Sequence, residues 1–286
     1  MIEDVFVGLS TIDVVYGVTE FPAANTKVSA LSQEVFTGGP ATNAAITFSH
    51  LGGKATLVSA VGCHPIVSFV REELNQFAVN HIDLNTNFAE LPAISSVAVD
   101  ATGRRNVISA NATRIDIPPA TVDVNLCGRA KVVMVDGHAM QACQAWASAA
   151  KANGTPVVLD GGSWKAGSAE LLKSVHTVIC SADFNAPGCA SEDELVQFLK
   201  GCGVTNTAIT HGAQPLRFFS EQASGEIAVP QVDAVDTMGA GDVFHGAFCY
   251  LFAAGKAFEK ALQGAAEIAS ESCRYRGPRA WMEQRE

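Results

Sequence analysis

The chain has 286 residues, 48% of them hydrophobic, and a formal net charge of −10, enough apolar side chain for one large α/β core and an acidic balance that argues against nucleic acid as a partner. No apolar run reaches the ~18 residues of a membrane span, and the acidic start Met1-Ile2-Glu3-Asp4 lacks the basic region of a signal peptide. Eight cysteines are scattered without a Cys-x-x-Cys pair, which speaks against zinc and a disulfide framework and for reduced thiols in the cytoplasm.

In chain order, residues 4–9 read as a buried strand running into Ser10-Thr11-Ile12-Asp13, so that a strand end delivers the Asp13 carboxylate. A plain turn aspartate fits the same pattern. Val14–Val18 and Lys27–Phe36 read as further strands, with Phe21-Pro22 between them. Lys27 is either a solvated charge or a contact for an anionic substituent. Thr37-Gly38-Gly39-Pro40-Ala41-Thr42-Asn43 then opens a helix over 44–52, closed by Gly52-Gly53. A strand over Ala55–Val61 ends at Gly62-Cys63-His64, and Val67–Phe77 has the spacing of an amphipathic helix. Ser95–Asp100, a turn at Ala101-Thr102-Gly103 and Arg104–Ser109 form a strand–turn–strand.

After Pro118-Pro119 the pattern alternates. Strands are expected at Lys131–Val135, Pro156–Leu159 and Thr177–Cys180, with helices at Cys143–Lys151 and Ala169–Leu172. Such alternation implies a parallel sheet covered by helices on both faces. Sites in these sheets gather at the carboxyl ends of strands, where Asp136, His138, Asp160 and Asp183 fall. His138 is either a hydrogen-bonded surface histidine or a reader of an anionic substrate group. Ala208–Gly212 is a strand and turn, Phe218–Ser220 with Ile227–Val229 suggests a hairpin, and residues 257–272 form an alanine-rich helix.

Between them lies the most informative stretch, Asp236-Thr237-Met238-Gly239-Ala240-Gly241-Asp242, running into the apolar Val243–Phe252. A glycine-rich turn feeding a helix leaves unpaired N–H groups and the positive dipole end aimed one way, an anion site. Asp242 sits at that terminus, where it serves equally as a helix cap or as a carboxylate able to take a proton. Backbone donors for a phosphate beside such a base are the parts of a phosphoryl transferase. The same helix end is expected to stabilise the Asp242 anion and so weaken it as a base.

Asp-Thr-x-Gly-Ala-Gly-Asp-x-Phe-x-Gly-Ala resembles the C-terminal signature of the ribokinase-like (PfkB) carbohydrate kinases. Gly-Gly-x-x-x-Asn at 38–43 is similar to their N-terminal sugar motif. The resemblance implies a ribokinase-like three-layer α/β/α fold, with a central mostly parallel sheet and a small β-sheet lid. Residues 1–286 then form a single α/β domain, with lid strands from about 14–36 and 93–111. It implies Asp242 as base, with the amides of Gly239, Ala240 and Gly241 as anion hole. Asp13, Gly38, Gly39 and Asn43 hold sugar hydroxyls, and Ala93, Ser95, Ser109 and Asn111 face the sugar from the lid. Thr210, Gly212 and Thr237 lie along the nucleotide, and Asp236 is near a monovalent-cation site. ATP and Mg2+ are implied as cofactors, with K+ in some members, and a homodimer through the lid as the assembly.

The chain also departs from the family. Gly62-Cys63-His64 stands where relatives have Gly-Asp-Asp, Pro215 replaces a glycine of the nucleotide loop, and Ser181–Asn185 replaces Asn-x-x-Glu, leaving Asp183 or Asn185 as a substitute. The wording Gly-Asp-Val-Phe-His-Gly-Ala is similar to the fructokinase and sulfofructose kinase branch. Lys27 falls where the sulfofructose branch has a lysine, while His138 stands where that branch has an arginine. The implied activity is ATP-dependent phosphorylation of a primary hydroxyl of a small sugar, a ketose or an anionic derivative. An adenosine-type nucleoside kinase is the alternative, as is a regulatory sugar- or nucleotide-binding protein with weak catalysis.

Overall fold

A computed structural model describes residues 2–102, 104–110, 115, 117 and 121–284. Its main sheet has nine strands. Seven run parallel and side by side: β5 (Asn80–Asp83), β4 (Lys54–Ser59), β1 (Glu3–Val7), β8 (Val133–Val135), β9 (Val157–Gly161), β10 (Thr177–Ser181) and β11 (Asn206–His211). The antiparallel strands β12 (Gln214–Phe219) and β13 (Ser224–Ile227) complete one edge.

The central strands are continuous apolar runs because both faces are covered. Their side chains alternate between two cores with the two-residue period of a strand. Phe6, Met134, Val158 and Ile179 point to one face, where they meet α1 (Pro40–His50), α2 (Val67–Gln76), α7 (Ala240–Ala253) and α8 (Phe258–Ser272). Val5, Val7, Val133, Val135, Val157 and Val178 point to the other. There they pack on α3 (Val124–Arg129), α4 (Met140–Ala152), α5 (Ser168–Leu172) and α6 (Glu192–Gly201). This is the layered α/β architecture expected from the alternation.

A separate four-stranded sheet pairs β3 (Ser32–Gly38), β2 (Thr11–Gly17), β6 (Ile94–Val99) and β7 (Arg105–Ser109) in that order. It corresponds to the expected lid, with two corrections. Asp13 is not delivered by the end of a main-sheet strand: β1 stops at Val7, the chain bends through Gly8-Leu9-Ser10, and Asp13 is the third residue of lid strand β2. Lys27 is not in a strand either, since β3 begins only at Ser32 and residues 18–31 are irregular.

Four elements escaped the sequence reading, among them a 3-10 helix at Ala280–Gln284. Strand β5, Asn-His-Ile-Asp, is a half-exposed edge strand without an apolar run. Helix α3 is too short to show a period. Helix α6 had a readable start, because Ser191 accepts from Glu194 N at 3.3 Å as an N-cap.

The strand order reverses between β1 and β8, the crevice where ligands bind in open α/β sheets. There the Asp136 carboxylate, beyond the end of β8, accepts from Leu9 N at 2.8 Å, Ala41 N at 3.2 Å and His138 N at 2.8 Å. One side chain thus joins β1, α1 and β8. A Cβ at Gly8 would overlap that carboxylate, so the glycine makes the room.

Candidate active site

Helix α7 starts from Gly239, whose φ of 71° lies in the left-handed region that glycine adopts without penalty. Ala240 N donates weakly to Thr237 O at 3.3 Å, and Val243 N closes the first turn on Gly239 O at 2.8 Å. Gly241 and Asp242 occupy the first turn, where a helix supplies no carbonyl for its N–H groups. Ala240, Gly241 and Thr237 line a cavity of about 220 Å³ together with Thr210 and Gly212. Four of the predicted nucleotide and anion-hole positions outside Gly239 therefore share one space with Ala240. Its apolar floor comes from Phe244, Leu216 and Ala266.

Asp242 belongs to the opposite side of that turn. Its Oδ2 accepts from Asn43 Nδ2 of α1 at 2.6 Å. Asn43 Oδ1 in turn accepts from Arg279 Nη2 at 2.8 Å. An arginine can only donate, so the amide oxygen must face Arg279 and the amide nitrogen must face Asp242. Arg279 also donates to Thr37 O at 2.7 Å and to Glu73 Oε1 at 2.8 Å. Glu73 Oε2 accepts from Thr37 N at 2.7 Å. Arg279 is 8% exposed. It was missed in the sequence: the only signal was a single arginine between Pro278 and the apolar Ala280-Trp281-Met282.

Burial pushes the Asp242 carboxyl up to about 7, the Asp160 charge adds to the rise, and the Asn43 hydrogen bond opposes it. This overturns the expectation that the helix terminus would make Asp242 a weaker base. A helix dipole at an exposed terminus is worth about 0.3–1 kcal/mol, whereas each pKa unit corresponds to about 1.4 kcal/mol. Desolvation wins, and the base is poised near neutral pH.

The residues expected on the sugar side converge from the lid. Asp13 pairs in register with Ser95 of β6 and Phe36 of β3. Its Oδ1 accepts from Thr11 Oγ1 at 2.7 Å. Burial raises the Asp13 carboxyl, and hydrogen bonding from Thr11 and Ser95 works against that. A Cβ at Gly38 would occupy the place of the Asp13 carboxylate, and one at Gly39 (φ 100°) would overlap the Leu9 carbonyl. The glycine pair thus lets β3 and α1 approach β2 and the β1 end. Ser95 Oγ donates to Ser109 Oγ at 3.1 Å, joining β6 to β7. Asn111 lies outside the described residues.

Other predicted positions fall further out. His138 follows β8, half-buried, and Lys165 Nζ reaches the carbonyls of Asp136 (3.4 Å) and Ser163 (3.2 Å) nearby. Lys27 is exposed, as is Asp183 in the turn after β10. Asp236 serves the fold: its Oδ1 accepts from Met238 N and its Oδ2 from Gly277 N, both at 2.9 Å, tying the loop before α7 to the C-terminal tail. Among the described residues no group of three or more His, Cys, Asp or Glu side chains could hold a metal ion. No helix among them is long and apolar enough to cross a membrane.

Residues 1–285 match the family described as pfkB family carbohydrate kinase. The chain is 24% identical to the ribokinase of Staphylococcus aureus (strain COL) over 231 residues, 76% of this chain and 75% of that protein. It is 24% identical to the ribokinase of Arabidopsis thaliana over 289 residues, 96% of this chain and 76% of that one. Its fold is that of the Thermotoga maritima ribokinase, with TM-score 0.81, 22% identity and coverage of 98% and 95% of the two chains. The Arabidopsis thaliana ribokinase complexed with ribose and ATP superposes with TM-score 0.79 at 21% identity, covering 96% and 93%. A nucleoside kinase of Methanocaldococcus jannaschii gives 0.75 at 18%, covering 100% and 99%.

Proposed function

The chain belongs to the pfkB family of carbohydrate kinases, phosphotransferases with an alcohol acceptor, and from that premise we propose that it moves the γ-phosphoryl of ATP onto a primary hydroxyl of a small ketose, fructose-like or an anionic derivative. The observation that carries this is Asp242, half-buried, its carboxyl raised to about 7 and aimed by Asn43 beside a glycine-rich helix start. The sugar lies between that carboxylate and the lid, with Asp13, Gly38, Gly39, Asn43 and Ser95 holding its hydroxyls. The nucleotide occupies the cavity of Thr210, Gly212 and Thr237.

In this arrangement Asp242 accepts the proton of the attacking hydroxyl, and a base with a pKa near the working pH suits the task. The amides of Gly239, Ala240, Gly241 and Asp242 receive the charge of the transferring phosphoryl, each such donor contributing about 3–4 kcal/mol. Closure of the lid sheet excludes water that would otherwise hydrolyse ATP. Mg2+ would be held mainly through the nucleotide phosphates and water, without a dedicated protein cage. Asp183 would hold one of its waters, and the ion would supply the positive potential that a chain of net charge −10 lacks. A K+ near Asp236 would be held by that carboxylate.

For an anionic acceptor, Lys165 after β9 offers positive charge, His138 after β8 offers a ring nitrogen as hydrogen-bond donor, and Lys27 offers positive charge from the lid side. A homodimer through the lid is supported by β7, an edge strand whose Val107 and Ile108 are 58% and 79% exposed.

The test is ADP release with MgATP across fructose, sulfofructose, ribose, ketodeoxygluconate, phosphorylated ketoses and adenosine, with Asp242→Asn as the blank. A ketose turned over best supports the proposal. The curated relatives above are named ribokinases, so preference for ribose would overturn the ketose assignment alone, and preference for adenosine would move the chain to the nucleoside kinases. Thermal stabilisation by a sugar with no turnover would make it a binding protein.

A further inference from the structure

Helix α7 carries a second titratable residue one turn beyond Asp242. His245 is buried, and both of its ring nitrogens face backbone carbonyls: Nδ1 lies 2.7 Å from Gly241 O and Nε2 lies 3.2 Å from Ile179 O. A carbonyl oxygen only accepts, so each ring nitrogen must donate. Neutral imidazole has one N–H and one lone pair, and in either tautomer that lone pair would point at a carbonyl lone pair inside the core. Only the doubly protonated ring satisfies both partners. A buried charge needs a counter-charge, and Asp160 Oδ2 of β9 stands 3.6 Å from Nδ1.

We infer that His245 is held as an imidazolium by the Gly241 and Ile179 carbonyls, and that this fixed positive charge, beside Asp160 and one helical turn from Asp242, favours the ionised form of the catalytic base. His245 is thus a positioning residue for the phosphoryl transfer, acting through Asp242 without touching substrate. The inference rests on the kinase reading only for the role of Asp242.

The charges around the pair come from several elements. Asp160 on β9 and Asp136 after β8 raise the Asp242 carboxyl, while His245 lowers it. Burial raises the Asp160 carboxyl, His245 opposes that rise, Asp136 after β8 adds to it, and Lys165 after β9 and His138 after β8 lower it. Arg279 in the tail approaches Asp242 from the Asn43 side. Without His245 the buried Asp160 and the half-buried Asp242 would lose that compensating charge, and Asp242 would hold its proton to higher pH. The protonated base cannot accept a proton, so activity would be lost first on the acid side.

Two measurements test this. Nitrogen-15 NMR of the wild-type enzyme should show both His245 ring nitrogens protonated at about pH 8, well above the ordinary histidine pKa of about 6.5; a neutral-ring signature there overturns the inference whatever the activity. In His245→Gln and His245→Asn the acid limb of the kcat/KM profile should move up by about one pH unit or more, a roughly tenfold loss below the midpoint that recovers at alkaline pH. A loss equal at every pH, or an unmoved limb in a folded variant, overturns the role assigned to the charge. If the variants do not fold, the wild-type spectrum alone decides. Asp242→Asn run beside them separates the two readings: near-normal turnover there sinks the base assignment while leaving the imidazolium to be judged by its own spectrum.

Discussion

Asn43 Nδ2 donates to Asp242 Oδ2 across 2.6 Å, although the two residues are 199 positions apart in the chain. The bond ties the glycine motif that opens α1 to the signature that opens α7. Its direction is imposed from behind by Arg279, which can only donate to the Asn43 oxygen. Asn43→Leu removes the donor that steadies the Asp242 anion. Its acid limb in kcat/KM should rise above that of the wild type, and activity at neutral pH should fall by about 10–100-fold, as when a charge-stabilising contact of about 1.4–2.7 kcal/mol is lost. A pH series of initial rates checks it, and an unchanged midpoint would count against Asn43 as the tuner.

The raised Asp242 carboxyl also has a stability consequence. Its folded-state value of about 7 stands above the ordinary 3.8, so the native state binds that proton more tightly than the unfolded chain. The contribution is full below the ordinary carboxylate value and is lost as pH rises through about 7. Asp242→Asn should therefore lose turnover by orders of magnitude with little change in ATP affinity. It should also gain thermal stability over wild type at about pH 8, with a smaller gain at about pH 5. Melting curves at the two pH values decide; a difference that does not depend on pH would contradict the assigned shift.

Arg279 links Glu73, Thr37 and Asn43 while nearly out of contact with water. Arg279→Met strands the Glu73 carboxylate and the Thr37 carbonyl, and breaking a buried pair in this way costs about 3–5 kcal/mol. Urea unfolding should register that loss. The double variant Glu73→Gln, Arg279→Met should recover part of it, because the orphaned charge is gone; full additivity of the two losses would argue against a coupled pair.

Two glycines of α7 should behave oppositely. A Cβ at Gly246 would overlap Ala44 O and crowd Thr47 Cβ at 2.7 Å, so α1 and α7 pack through that position. Gly246→Ala should cost about 1–3 kcal/mol, the usual range for overpacking, and should loosen Asn43 from Asp242. Gly241 has nothing within 4 Å of its virtual Cβ and lines the cavity proposed for the nucleotide. Gly241→Ala should leave the melting temperature nearly unchanged while raising KM for ATP. If Gly241→Ala melts as early as Gly246→Ala, the cavity assignment is wrong.

What the sequence determined by itself was everything carried by local pattern. The β-α alternation after Pro118 announced the parallel sheet, because strands buried on both faces must be apolar throughout. Gly38-Gly39 and Gly239-Ala240-Gly241 announced two tight helix starts, because left-handed or crowded backbone selects glycine. Asp242, Asn43, Asp13, Thr210, Gly212 and Thr237 can be singled out as candidates because motif spacing is local. Lys27 was assigned to a strand and Asp13 to the end of a main-sheet strand, since neither periodicity nor spacing says which sheet a strand joins. Only the tertiary structure decided the electrostatics. Asp242 owes its raised pKa to burial and to Asp160, and its orientation to Asn43 and Arg279, which arrive on β9, α1 and the C-terminal tail. A carboxylate's proton affinity is set by the charges and solvent within a few ångströms, and those neighbours become neighbours only when the chain has folded.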